Sequence, residues 1–249
     1  MTMQTRSIWL LLFGATLIAS AQNASAQFVV REDVHVAPGT TAEFEANSKA
    51  RTARMAAGNV EFGRLAAVSE SGGHYRYLTL LDADFSSVTT WRDQIAAMPA
   101  TPTPGGAAGL IESIDRSIWQ ARPDLSYIPD PLRVPAGEIG FVREVVLRPK
   151  FASVPQVTAL LAQMKELYER HNIAGRRVVR ELVMGPESPA FSIVFLARNP
   201  EDFYTENART QSTLGADMQS LVTRVGRLCR EVAFDNYLNR SDLGYQPSH

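Results

Sequence analysis

The sequence predicts an α+β fold in which two similar β-α-β-β-α units follow one another, each with an antiparallel sheet and outward-facing helices. Three observations predict it. A short motif recurs near the middle and near the end of the chain. Apolar side chains alternate along several short segments, as in half-buried strands. Other apolar residues recur with the 3.6-residue period of an α-helix.

The repeated motif is Arg-x-Asp-Leu-x-Tyr-x-Pro, which begins at Arg122 and again at Arg240, and five of its eight positions are identical at a shift of 118 residues. The segment Val30-Arg31-Glu32 also matches Val142-Arg143-Glu144, at a shift of 112. These matches indicate an internal duplication. The motif itself is expected to be structural, with its Leu and Tyr packing back onto their own unit and its Asp pairing with its Arg.

Each unit is expected to begin with a strand and a helix. Residues 28–36 and 139–147 are rich in β-branched and aromatic side chains, which favour strands. The helix of the first unit is the Ala-rich segment Thr41–Ala57. The helix of the second unit is indicated by apolar residues with helical spacing: Val157, Leu160, Leu161, Met164, Leu167 and Tyr168.

Two strands joined by a turn come next, at residues 60–69 and 74–81 in the first unit and at 178–184 and 191–198 in the second. A helix then starts near Asp84 and near Glu201, because acidic residues suit the positive end of a helix. The last element expected in each unit is a further helix. It would carry Leu110, Ile111, Ile114 and Ile118 in the first unit, and Leu228, Cys229, Val232 and Asn236 in the second.

The first 26 residues have the three parts of a secretory signal peptide. Arg6 precedes an apolar run at residues 8–19, and Ala24-Ser25-Ala26 forms a small-x-small cleavage site. We therefore expect a signal peptide at 1–26, a first unit at 27–137 and a second unit at 138–249. The protein would be exported, periplasmic or extracellular, with no membrane span after cleavage. An uncleaved N-terminal anchor is the alternative.

Composition and motifs exclude several classes of protein. The 25 Lys and Arg residues nearly balance 26 Asp and Glu, which argues against a nucleic-acid partner. The single cysteine forms neither an intrachain disulfide nor a Cys-rich zinc site. The sequence contains no H-E-x-x-H spacing, Gly-rich phosphate loop or G-x-S-x-G motif, so we expect no metal and no cofactor. The protein would be a monomer or a homodimer.

The repeated order β-α-β-β-α is typical of ferredoxin-like units with antiparallel sheets. Two such units in one chain resemble a fused form of the dimeric α/β-barrel superfamily, which includes NIPSNAP-like proteins and small cofactor-free monooxygenases. The resemblance covers most of the chain after residue 26, and it rests on the order of elements. It implies that the two sheets together form a pseudo-dimeric barrel.

Charged residues in the middle of strands are the main functional signal: Arg31, Glu32, Asp33, Arg64, Arg76, Arg143, Glu144, Arg180 and Glu181. In a barrel of two sheets, every second strand residue lines the interior, where a charge must be paired or must hold a polar ligand. The alternative is a solvent-facing surface or a set of structural ion pairs. The candidate ligand-binding residues are Arg31, Arg76, Tyr75, Tyr77, Arg143 and Arg180.

Three functions are compatible with this pattern. The first is an exported protein that binds a small organic or anionic ligand between its two sheets. The second is a cofactor-independent monooxygenase- or isomerase-like enzyme that acts on an aromatic or quinone-like substrate. No motif identifies a catalytic residue, and His74 is the best acid or base candidate because imidazole titrates near neutral pH. The third is a structural or interaction protein, for which a large exposed apolar patch would be the sign.

Overall fold

A computed structural model describes residues 28–82, 84–98 and 109–247 of the chain. The predicted signal peptide at 1–26 lies outside the described residues. In the first half the elements are β1 (Phe28–Val36), α1 (Thr41–Ala57), β2 (Arg64–Ser69), β3 (His74–Leu80), α2 (Ser86–Ala97) and β4 (Ile111–Ala121). In the second half they are β5 (Phe141–Pro149), α3 (Val154–Arg170), β6 (Arg177–Met184), β7 (Phe191–Ala197), α4 (Pro200–Leu228) and β8 (Cys229–Asn239).

The prediction of a second late helix in each half was wrong, because β4 and β8 occupy those positions. Each half therefore reads β-α-β-β-α-β. The spacing of Ile111, Ile114 and Ile118 fits a helical period, but nine residues of β4 pair with β1. In the same way nine residues of β8 pair with β5. This pairing satisfies the open edges of β1 and β5, which a helix would leave unpaired.

The eight strands form one closed antiparallel barrel in the order β1-β3-β2-β8-β5-β7-β6-β4. The prediction that the two sheets combine into a barrel is confirmed. The halves join where β2 pairs with β8 and where β4 pairs with β6. Closure pairs both edges of each of these eight strands, and it directs one face of every strand into the barrel.

The helices cover the outer face of the barrel. All six apolar residues that predicted α3 are buried, and they pack with α4 and with outward residues of β5, β6 and β7. Burial of a side chain of this size contributes about 1.5–3 kcal/mol. In the first half, Phe44 of α1 packs on Val34, Tyr75 and Tyr77. Within the described residues, no helix is both long enough and apolar enough to cross a membrane.

The match of Val30-Arg31-Glu32 to Val142-Arg143-Glu144 does not correspond to equivalent positions in the barrel. Arg31 lines the interior cavity, whereas Arg143 stacks on Phe234 on the outer surface. A shift of one residue moves a strand's side chains to the opposite face. Two positions that are equivalent in the barrel are Arg64, at the start of β2, and Arg177, at the start of β6. Arg64 pairs with Tyr245 of the second repeated motif, and Arg177 pairs with Tyr127 of the first.

Each repeated motif crosses to the opposite half. We call residues 122–129 the first crossing segment and residues 240–247 the second. Leu125 packs in the core of the second half and Leu243 in the core of the first. The expectation that these residues pack on their own unit was therefore wrong. The expected Arg–Asp pairs are present, with Arg122 Nη2 2.7 Å from Asp124 and Arg240 Nε 2.8 Å from Asp242.

Candidate ligand site inside the barrel

The interior of the barrel contains a cavity of about 340 Å³ that opens at one end. The open end lies at the end of β1, the beginning of β3 and the turn between β6 and β7, where His35, His74 and Glu187 line the cavity. One wall is apolar and consists of Trp119, Val146, Leu182 and Ala190. An adjoining wall is charged and consists of Arg31, Asp33, His74 and Arg76, and Arg31 lies over the Trp119 ring at 5.5 Å where the two walls meet. Strand alternation produces the charged wall, because Arg31 and Asp33 on β1 share a face with His74 and Arg76 on β3.

Asp33 is the centre of the hydrogen bonds on the charged wall. It accepts hydrogen bonds from Arg76 Nε at 2.7 Å and from His74 Nε2 at 3.1 Å. It also accepts a hydrogen bond from Arg31 Nε. Burial alone would raise the pKa of Asp33. The hydrogen bond from His74 and the charges of Arg76 and Arg31 outweigh burial and hold this pKa well below its usual range.

Glu144 links the two halves of the barrel from β5. It accepts hydrogen bonds from Arg76 and from the Ser192 hydroxyl, and Arg31 Nη1 lies 3.3 Å from it. Glu144 is 3% exposed. Burial opposes its ionisation, but Arg76, Arg31 and the Ser192 hydrogen bond lower its pKa overall. The arrangement is therefore an ion-pair network between the halves, and two of its members, Arg31 and Arg76, line the cavity.

Two histidines border the open end of the charged wall. The rings of His35 and His74 stack with centroids 4.3 Å apart, and Tyr237 meets His74 edge-on at 5.6 Å. Arg76 lies over the Tyr237 ring at 4.2 Å. The His74–Asp33 hydrogen bond fixes the orientation of the imidazole, as a carboxylate does for a general base.

The structure brings together some of the candidate residues and separates others. Arg31, Arg76 and His74 line the cavity. Arg180 also points inward, two residues from Leu182 on β6, and its guanidinium interacts electrostatically with Glu144, Arg31 and Arg76. Burial lowers the pKa of Arg180, and the other two arginines add to this effect while Glu144 opposes it.

Three candidates lie on the outer face and do not border the cavity. The Tyr75 hydroxyl donates to Glu45 at 2.6 Å, and the Tyr77 hydroxyl lies 2.7 Å from that of Ser48 on α1. Arg143 donates to Asn236 at 2.8 Å. Their positions follow from alternation, since Tyr75 and Tyr77 occupy the opposite face from His74 and Arg76.

Several residues of the site were not singled out as ligand-binding candidates from the sequence. Asp33 and Glu144 were noted as mid-strand charges, but His35, Ser192 and Trp119 were not connected to the site. The alternation of β1 places His35 beside Asp33 and could have indicated it. Ser192 and Trp119 required the strand pairing. Within the described residues, no group of three or more His, Cys, Asp or Glu side chains is arranged to hold a metal ion.

Comparison with solved structures places the chain in the dimeric α/β-barrel fold. An anthrone oxidase-like protein superposes with a TM-score of 0.60 at 12% identity, over 88% of this chain and 92% of that one. A candidate monooxygenase from Fusobacterium nucleatum subsp. nucleatum gives 0.55 at 10% identity, over 87% and 93%. A chlorite dismutase from Candidatus Nitrospira defluvii gives 0.54 at 9% identity, over 90% and 97%. No family model and no curated protein sequence matches this chain.

Proposed function

We propose that the protein binds a small organic molecule inside the barrel. The observation that supports this most directly is the cavity of about 340 Å³ between an apolar wall and a charged wall. Small-molecule sites are commonly concave, partly apolar and supplied with a few polar groups that set orientation, in volumes of about 300–1,000 Å³. A ligand with an apolar body would lie along Trp119 and Leu182, and its polar groups would face the charged side chains of the interior.

We also infer that the two halves are ferredoxin-like units related by duplication. Both have the order β-α-β-β-α-β, and within each half the strands follow the order 4-1-3-2 around the barrel. The backbone pairing of Arg64 with Tyr245 has an equivalent in that of Arg177 with Tyr127. A relation to NIPSNAP-like proteins in particular stays a proposal.

Native mass spectrometry tests binding. The protein purified from its source is expected to carry an added mass that is lost on denaturation. In the Leu182→Trp variant, the larger side chain would fill the cavity and the added mass would disappear. Val183→Trp is the matched control, because Val183 is 45% exposed and neighbours Leu182 in sequence. An added mass that persists in Leu182→Trp would place the ligand elsewhere, and no added mass in any sample would favour a structural role.

An enzymatic role is the second candidate, and the position of His74 favours it. His74 borders the cavity and is hydrogen-bonded to an ionised carboxylate, which suits it to accept a proton from a bound substrate. The resemblance in fold to an anthrone oxidase-like protein makes anthrone a reasonable first substrate. Anthrone and dioxygen give anthraquinone and water, so oxygen uptake is a direct readout.

The enzymatic candidate predicts a specific pattern among variants. His74→Gln and Asp33→Asn would abolish oxygen uptake, while anthrone would still bind to His74→Gln. His171→Gln is the control, because His171 is exposed at the end of α3. Equal uptake by wild type and His74→Gln would exclude His74 as the base.

We propose in addition that the protein is exported and that residues 1–26 are removed. The support is the pattern of the leader in the sequence. Intact-mass measurement of the protein from its source would show a mature chain beginning at Gln27. A chain that retains the leader in the membrane fraction would instead indicate an N-terminal anchor.

A further inference from the structure

The charges beside the cavity do not balance. Arg31 and Arg76 form ion pairs with Asp33 and Glu144. Arg180 faces the interior on the same side of β6 as Leu182, which lines the cavity, and it lies opposite Ser192, whose hydroxyl donates to Glu144. A third guanidinium therefore enters the barrel next to the residues that line the cavity. No carboxylate among the described residues lies within ion-pair distance of Arg180. These three arginines and two carboxylates together have a net charge of +1.

The neighbours of Arg180 in the barrel do not supply the missing charge. Arg180 pairs with Ser192 on β7 and with Ala121 on β4. The Ser192 hydroxyl donates to Glu144, and Ala121 has no polar side chain. Arg180 is partly buried, so bulk water solvates its guanidinium less well than that of a surface arginine. An incompletely solvated and unpaired charge is costly, and an added anion would relieve the cost.

The acidic residues at the open end of the cavity do not change this conclusion. Asp115 and Glu187 are exposed, and water screens their charges. Arg148 lies 3.2 Å from Glu187 and 2.8 Å from Glu231, which offsets part of the negative charge. Asp235 is partly buried on β8 and disfavours an anion near the opening. A negative group would therefore be more stable deep in the barrel than at its mouth.

We propose that the ligand of the cavity is an organic monoanion, such as a carboxylate on an apolar body, and that Arg180 selects for its charge. This inference rests on the proposed function, namely that the cavity binds an organic molecule. A guanidinium can donate two parallel hydrogen bonds to a carboxylate, which gives both strength and orientation. The apolar body would then extend along Leu182, Val146 and Trp119 toward the opening.

A matched pair of probes tests the inference: 2-naphthoate and its neutral analogue 2-naphthamide, which share one ring system. Binding is measured by isothermal titration calorimetry on the wild-type protein. We expect 2-naphthoate to bind about tenfold or more tightly than 2-naphthamide, since one charge-assisted contact contributes about 1.4 kcal/mol or more. Arg180→Gln should reduce the preference to about twofold, whereas Arg180→Lys should retain part of it.

Controls separate the inference from the proposed function. Arg143→Gln removes an arginine from the outer face and should keep the full preference for 2-naphthoate. Both probes should fail to bind to Leu182→Trp. Equal binding of the two probes to wild type, lost in Leu182→Trp, would overturn the role of Arg180 and leave the cavity as the binding site. Binding that survives in Leu182→Trp, or no binding of either probe, would overturn the proposed function. Thermal unfolding of Arg180→Gln and Arg180→Lys checks that both variants are folded.

Discussion

Tyr245, near the end of the chain, forms two backbone hydrogen bonds with Arg64 at the start of β2, at 2.7 and 2.8 Å. Its hydroxyl donates to the carbonyl oxygen of Val60 at 2.9 Å. Tyr127, in the first half, forms the equivalent bonds with the second half. Its backbone forms two hydrogen bonds with Arg177, both at 2.8 Å, and its hydroxyl donates to the carbonyl oxygen of Ile173 at 2.8 Å. Each half of the chain thus completes the other, and the two halves are expected to unfold together.

The crossing segments should make a large contribution to stability. Leu243 is completely buried, so Leu243→Ala is expected to lower the free energy of unfolding by about 2–5 kcal/mol through a cavity in the first half. Urea denaturation followed by circular dichroism measures the change. Leu65→Ala is the control, because Leu65 is 45% exposed. A separate early transition in Leu243→Ala would contradict the expectation that the halves unfold together.

The buried arginines at the two equivalent strand starts differ in their counterions. Arg64 lies 3.8 Å from Glu32 and stacks on Tyr77 at 3.4 Å. Arg177 is 2% exposed, and no carboxylate among the described residues lies within ion-pair distance of it. The Nε and Nη1 atoms of both arginines have no hydrogen-bond partner among the described residues. Strand pairing explains the difference. Glu32 of β1 lies opposite Tyr77 of β3, and the equivalent pair in the second half is Val145 of β5 opposite Ile193 of β7.

Replacing Glu32 with Val and replacing Val145 with Glu are therefore expected to have opposite effects on the free energy of unfolding. Glu32→Val would leave Arg64 without its carboxylate and lower the free energy of unfolding by about 3 kcal/mol. Val145→Glu would give Arg177 a partner and raise the free energy of unfolding by about 1 kcal/mol. Denaturant unfolding measures both. Destabilisation by Val145→Glu to the same extent as by Glu32→Val would show that Arg177 does not need a counterion.

Acid should destabilise the protein through the network inside the barrel. The pKa values of Asp33 and Glu144 are lowered in the folded state from ordinary values of 3.8 and 4.5. Such groups stabilise the fold fully above those unfolded-state values, and the contribution is lost as the pH falls below them toward the folded-state values. The melting temperature should therefore fall steeply below about pH 4. The double variant Asp33→Asn/Glu144→Gln should have a lower melting temperature at neutral pH and a flatter acid dependence, and an unchanged slope would contradict the assignment.

Gly140, just before β5, should not tolerate a side chain. A Cβ atom there would lie 2.2 Å from the carbonyl oxygen of Arg198, which is far inside van der Waals contact. Gly140→Ala is expected to lower the free energy of unfolding by about 1–3 kcal/mol, because the backbone must move. Gly137→Ala is the control, since a Cβ atom at Gly137 would meet no described atom within 4 Å. Equal melting temperatures of the two variants would show that the turn can adjust without cost.

Much of the fold could be predicted from local patterns. The helical period of Leu160, Leu161 and Met164 identified α3, and alternation identified the strands that form hairpins. The last strand of each half was missed because Ile111, Ile114 and Ile118 also fit a helix. What decides between the two structures is the pairing with β1, a contact distant in sequence that no local window contains.

The site could be predicted only in part for a related reason. Mid-strand charges such as Arg31 and Arg76 correctly indicated the inner face of a barrel. Which charges face inward depends on the register of each strand, and Arg143 faces outward although its sequence neighbour Glu144 faces inward. The apolar wall was not recognised because Val146 and Ala190 are ordinary core residues until the barrel closes around a cavity.

The presence of both halves in one chain frees the cavity from two-fold symmetry. In a barrel made of two identical subunits, every residue that enters the interior enters twice, at symmetric positions. Here Asp33 and Arg76 of the first half correspond to Val146 and Ser192 in the second, so the two halves contribute different side chains to the interior. The cavity consequently lacks two-fold symmetry, and a bound molecule can be held in a single orientation.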